Sequence, residues 1–237
     1  TKNIIFVIVF IFFSTLQVQC VEKFNKANKI ADYFSGIVLL NQNNYNESFQ
    51  YLRKLDGLEN VHASYSLKYL YSLINSGNFY QAFIYSKKLE KQKKSSFESN
   101  LIIGIYYLKN SKFNESKKYF LKAKQKKPRL ILDNYIIDSL YNWSSVNSSN
   151  LEKSEFILNQ MDNRFNNLKK IQRVFLNCFF KDDKTELEFE ALLNNEDIDF
   201  SRYNYFFVKY LDRIGKRNKA KTTLNNSLGK FPRNLLL

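Results

Sequence analysis

The chain has 237 residues and carries 37 Lys and Arg against 22 Asp and Glu, a formal net charge of +15. Apolar residues make up 44%, yet there are only 6 Gly and 2 Pro. That is too few turn residues for a multi-stranded β protein and suits a mostly helical globular chain. Lys, Asn, Ile, Phe and Tyr are abundant, the skew that AT-rich coding DNA produces by itself, so no single abundance is read as a functional signal.

The N-terminal stretch TKNIIFVIVFIFFSTLQVQC stands apart. Lys2 precedes an apolar run from Ile4 to Phe13, short for a membrane span and of the length of a secretory signal core. Val18 and Cys20 are tolerable small residues ahead of a cleavage point. The expectation is a signal peptide over residues 1–20, a lead-in over 21–28, and a mature chain outside the cytoplasm, in the periplasm or envelope of a bacterium. An uncleaved N-terminal membrane anchor is the first alternative. A lipid-modified Cys20 is the second, although Gln19 stands where a lipoprotein signal places Gly, Ala or Ser. Once Cys20 is removed, Cys178 is the remaining thiol, and stability must come from packing rather than a disulfide. Its setting, RVFLNCFF, reads as that of a buried small hydrophobe.

Downstream the chain repeats itself. Tyr45, Phe79 and Phe113 follow one another at steps of 34 residues. Nine residues before them stand Gly36, Leu70 and Gly104; six before, Leu39, Leu73 and Tyr107; two before, the turn formers Asn43, Gly77 and Ser111. Three after are the small residues Ser48, Ala82 and Ser116; ten after are Leu55, Leu89 and Ala123. The frame returns around Arg217, with Leu211, Gly215, Ala220, Leu224 and Pro232 in place. Two degenerate units fit between, so units are expected near 29–62, 63–96, 97–130, 131–163, 164–199 and 201–234.

Each unit reads as two helices. In NLIIGIYYLKN the apolar residues cover nearly the whole circumference, as in a helix buried between neighbours. A turn at KNSK follows, where Asn or Ser can end one helix and cap the next. NESKKYFLKAKQKK is amphipathic, with Phe113, Ser116, Phe120 and Ala123 on one face and lysines opposite. Small residues let the two helices approach where they cross, and Pro128 stops the second helix.

A two-helix unit of this period, with this placing of small residues, aromatic anchor and terminal proline, resembles the tetratricopeptide repeat over about residues 29–232. Leu70 departs from the small-residue pattern, the early Trp of the family is missing, and proline ends only two units. The resemblance implies an all-α, right-handed α-solenoid of about six stacked hairpins, whose first helices line a concave groove for an extended or helical peptide. The groove positions it implies here are Tyr33, Ile37 and Leu40; Leu67, Tyr71 and Ile74; and Leu101, Ile105 and Leu108. The alternative is that these residues are core. The Lys and Asn clamp with which some members hold a C-terminal carboxylate is absent from these places. In the last unit the matching residues are Arg202, Tyr205, Lys209 and Asp212, which predicts a polar, wet end.

Positive charge concentrates in residues 87–128, with 13 Lys against 3 Glu. Lys112, Lys117, Lys118, Lys122, Lys124, Lys126 and Lys127 are the candidates for a basic patch that would attract anionic lipid, polysaccharide, an acidic protein or nucleic acid. Export and the lack of a reading motif disfavour nucleic acid, and a solvated face is the bland alternative. His62 is a lone histidine without partners for a zinc site or a triad, and HExxH, GxSxG and GxxxxGK[ST] are absent. The acidic run DDKTELEFE, followed by NEDID, lacks the alternating ligands and central Gly of a calcium loop. NES, NWS and NSS match glycosylation acceptors but carry little weight in a chain so rich in Asn and Ser. No catalytic residue, metal or cofactor is expected. The expected function is a non-catalytic scaffold for a protein or peptide partner, with a basic surface binder as the alternative. RNLLL after Pro232 reads as the start of another first helix, and with the initial Thr it suggests a piece of a longer repeat protein.

Overall fold

The structure is a computed structural model that describes residues 26–62, 64–126, 130–195 and 198–230. The expected signal peptide, most of the lead-in, Lys127, Pro128 and Pro232 lie outside the described residues. Among the described residues there is no β strand. Twelve α helices follow one another, α1 over residues 26–41 and then α2 (Tyr45–Leu52), α3 (Tyr65–Asn75), α4 (Phe79–Lys91), α5 (Phe97–Lys109) and α6 (Phe113–Gln125). The series continues with α7 (Ile131–Ser145), α8 (Leu151–Gln160), α9 (Asn166–Phe180), α10 (Thr185–Leu193), α11 (Asn204–Arg213) and α12 (Arg217–Lys230). The chain forms two compact units, one through Tyr106 and one from Tyr107 onward. Within each, helices pack on their neighbours in the chain, the packing of an α-solenoid of helix hairpins.

Four hairpins turn in the same way. Asn43, Gly77, Ser111 and Gly215 take positive φ of 60°, 77°, 56° and 83°. This left-handed residue lets the next amide reach back five residues: Asn44, Asn78, Lys112 and Lys216 donate to the carbonyls of Leu39, Leu73, Tyr107 and Leu211 at 2.8–2.9 Å. The carbonyls of those same four residues then accept from Ser48, Ala82, Ser116 and Ala220 at 2.9–3.0 Å, opening the second helix. One peptide unit thus closes one helix and starts the next, satisfying groups that both ends would otherwise expose. The side-chain cap expected at KNSK does not form, since Lys112 holds the N-cap place of α6 and makes no side-chain cap bond. Asn44 and Asn78 make no side-chain cap bond to the helices they precede, because the backbone already saturates the turn.

The small residues mark the crossings. Ser48, Ala82, Ser116 and Ala220 are all buried. At the first crossing Ser48 Oγ donates to the Gly36 carbonyl at 2.8 Å, and a Cβ on Gly36 would lie 2.7 Å from Leu52 Cδ2. The fourth hairpin uses different residues for the same contact. Asn142 Nδ2 of α7 donates to the Ser154 carbonyl of α8 at 2.9 Å, across the twelve-residue separation that links Gly36 and Ser48. Leu151, the first residue of α8, therefore holds the place of Tyr45, Phe79 and Phe113.

The first unit buries Leu52, Leu55, Tyr65, Leu70, Leu73, Ala82, Tyr85, Leu89 and Ile102 in one core. Because α2 is only eight residues long, its end needs partners, and Tyr65 Oη donates to the Leu52 carbonyl at 2.8 Å. The second unit has one core around Tyr135, Val146, Leu158, Met161 and Leu176 and another around Val174, Phe189, Leu192, Phe200, Phe207, Leu211 and Ala220.

Candidate functional site

The Asn142 crossing sets the register for the first helices of the second unit. The residue after the crossing is Ile37 in α1, Tyr71 in α3 and Ile105 in α5; in α7 it is Trp143. The Trp143 ring stands edge-on to Phe179 of α9, with centroids 6.2 Å apart, and its indole Nε1 donates to Gln172 Oε1. One turn earlier on α9, Phe175 meets Phe206 of α11 edge-on at 5.2 Å and Tyr203 at 6.1 Å. Tyr205 adds an edge contact to Phe206 at 5.4 Å. Rings thus run across α7, α9 and α11 in edge-to-face contacts, which are favourable beyond the area they bury. Phe179 nevertheless stays 47% exposed and Phe206 39%.

Between these rings lies an open cleft of about 540 Å³ lined by Trp143, Phe175, Cys178, Phe179, Lys181 and Arg213. Lys181 ends α9 in the left-handed conformation with φ 57°, and Arg213 is the last residue of α11. Neither forms an ion pair among the described residues. Cys178 is half-buried rather than fully enclosed; burial holds its thiol above the ordinary value, and the Arg213 charge pulls the other way. A neighbouring cleft of about 460 Å³ shares Cys178, Lys181 and Arg213 and adds Asp182, Asp183 and Glu186.

The acidic run around it has partners within the protein. Glu186 meets Lys216, just before α12, and Lys219 of α12 at 2.5 Å each, and those two bonds hold its carboxyl below the ordinary range. Glu190 meets Lys219 at 2.6 Å, and Asp182 Oδ1 accepts from the Lys184 amide at 2.8 Å.

In the first unit, the groove candidates on α3 include Tyr71 and Ile74, which are 49% and 38% exposed, with the Tyr71 ring edge-on to Tyr45 at 5.9 Å. Tyr33, Ile37 and Leu67 are half-buried; Tyr33 packs on the first core, and its ring lies 5.0 Å from His62. Leu40 is only 4% exposed and is core. On α5, Leu101, Ile105 and Leu108 are half-buried. The repeat frame does not single out the exposed apolar row of α1, which is Ile30, Phe34 and Val38 at successive turns. On the last hairpin Arg202, Tyr205, Lys209 and Asp212 are all exposed, as their polarity predicts.

Among the basic candidates, Lys112, Lys118, Lys124 and Lys126 are exposed, Lys117 and Lys122 are half-buried, and Lys127 lies outside the described residues. Lys124 pairs with Asp138 at 2.6 Å. Lys112, Lys117 and Lys122 lie over the rings of Tyr107, Tyr141 and Tyr119 at 5.9, 5.1 and 4.7 Å. Asn142 of the NWS triplet is buried at the α7–α8 crossing, so it presents no acceptor to a glycosylating enzyme.

Among the described residues no group of three His, Cys, Asp or Glu side chains could hold a metal ion, and no helix is long and apolar enough to cross a membrane. No protein-family model matches the chain, and a comparison with curated proteins finds no match.

Proposed function

We propose that this protein is a non-catalytic helical-repeat scaffold of the tetratricopeptide-repeat type, exported to the cell envelope, that captures a segment of another protein on its first helices. The observation that carries this reading is the row of half-exposed rings on α7, α9 and α11. Burying a large aromatic side chain stabilises a fold by about 1.5–3 kcal/mol, yet Phe179 and Phe206 keep over a third of their surface in water. Contiguous apolar surface of this kind marks interaction sites, and Trp, Phe, Tyr and Arg are the residues that anchor interfaces. Export rests on the apolar run after Lys2.

The test is affinity capture from a native envelope fraction with the parent chain and with Phe179→Ala. A partner held by the parent and lost from a variant with an unchanged circular dichroism spectrum supports the reading. A partner retained equally by both places the binding surface elsewhere.

Docking on an anionic surface is the second reading. It draws on Lys112, Lys118 and Lys126, which are exposed and form no ion pair among the described residues. Binding to anionic vesicles that falls steeply between about 50 and 200 mM salt would favour it.

A further inference from the structure

We infer that the cleft between α7, α9 and α11 selects an acidic segment of its protein partner, seating an apolar side chain against Trp143 and Phe179 and holding an adjacent carboxylate between Lys181 and Arg213. This rests on the protein-binding reading above and adds the chemistry of the ligand. Two cations stand at the rim of a cleft whose other walls are Trp143, Phe175, Cys178 and Phe179. Both cations are exposed, so water and salt screen them in the free chain; their preference for a carboxylate over a second positive charge acts over the short range of a ligand seated against the apolar walls.

The carboxylates close by do not fill that role. Glu186 is taken by Lys216 and Lys219, Asp212 meets Arg217 at 3.9 Å, and Asp182 caps the Lys184 amide. Asp183 lines the neighbouring cleft with both cations but forms no ion pair with either. Arg213 offers a planar fork of donors that matches a carboxylate in two bonds, and a net charge of +15 draws acidic segments toward the chain. Trp143 is half-buried, with the Phe179 ring perpendicular to its own and its indole nitrogen bonded to Gln172.

Trp143 is the only tryptophan in the chain, so its emission reports on this cleft. The full chain is titrated with a capped hexapeptide carrying one Phe between two Glu, with its Gln counterpart and with its Lys counterpart. The Glu peptide is expected to shift the emission, the Gln peptide to bind about tenfold more weakly for the loss of charge-assisted bonds, and the Lys peptide to give no shift. In a chain carrying Lys181→Asn and Arg213→Gln, both of which suit their backbone positions, the Glu and Gln peptides should bind alike while circular dichroism is unchanged. Glu and Gln peptides that bind the parent equally overturn the acidic selectivity and leave the scaffold reading standing. Emission that responds to phosphatidylglycerol vesicles or to polyuridylate and to no peptide overturns both, as does emission that responds to none of these probes.

Discussion

Glu59 lies on the 3-10 turn Leu58–Asn60 between α2 and α3 with its side chain fully covered, and Lys88 of α4 meets its Oε1 at 2.7 Å. The Gly57 amide donates to Oε2 at 2.9 Å, and Lys94 reaches the Glu59 carbonyl and Asn60 from the same side. Burial pushes the Glu59 carboxyl up, but the Lys88 bond and the amides of residues 57 and 59 outweigh it and hold the group below its ordinary value of 4.5. A carboxyl lowered by folding adds stability above that value and loses it as pH falls through the folded value. Lys88→Met leaves the carboxylate buried without its cation and is expected to cost about 3 kcal/mol in urea unfolding at neutral pH. The deficit should narrow as pH falls below the ordinary carboxyl value of 4.5, because the variant can then bury Glu59 as the neutral acid. Gly36→Ala brings a methyl to 2.7 Å from the fully buried Leu52. Overpacking of about 1–3 kcal/mol should exceed the gain of about 1 kcal/mol in helix propensity, so thermal unfolding should come earlier. At this scale the sequence was readable where residue type and position agreed, as at Gly36 and Ser48. It was unreadable at Asn142, because a polar amide in the place of glycine gives no hint that its donor will meet a carbonyl twelve residues away.

The hairpins show how a turn can be legible when its helices are not. Asn43, Gly77, Ser111 and Gly215 stand at one place in the sequence frame, and each takes the left-handed conformation that residues of this kind accept most readily. Ser111 bears the strain of that conformation with a β-carbon, so Ser111→Gly is expected to stabilise the protein by about 1 kcal/mol, seen as a later thermal transition. The α7–α8 connection follows another route, through a 3-10 turn at Val146–Ser148. Its start at Leu151 falls four residues past the point, position 147, at which a step of 34 from Phe113 lands. That slip moved Trp143 out of the frame, and with it the aromatic cleft. The candidates on α3 and α5 could be named from the sequence because their units keep the period; the rings on α7 and α9 fall outside it.

For the molecule as a whole, the helical class follows from scarce Gly and Pro and from a period that only a paired-helix unit of this length satisfies. A far-ultraviolet spectrum without a sheet contribution is the direct check. A net charge of +15, most of it within residues 87–128, works against compaction. Raising sodium chloride from about 10 to 150 mM should therefore lift the melting temperature by about 2–4 °C, the shift that about 1 kcal/mol produces in a chain of this length. The four matching turns carry one more consequence. Their closure runs from peptide nitrogen to peptide oxygen, so the bend asks almost nothing of the letters that spell it. Asparagine, glycine and serine each serve. A protein joined in this way can drift far in composition and keep its corners, which makes a comparison of shapes a more durable guide to its kin than a comparison of spellings.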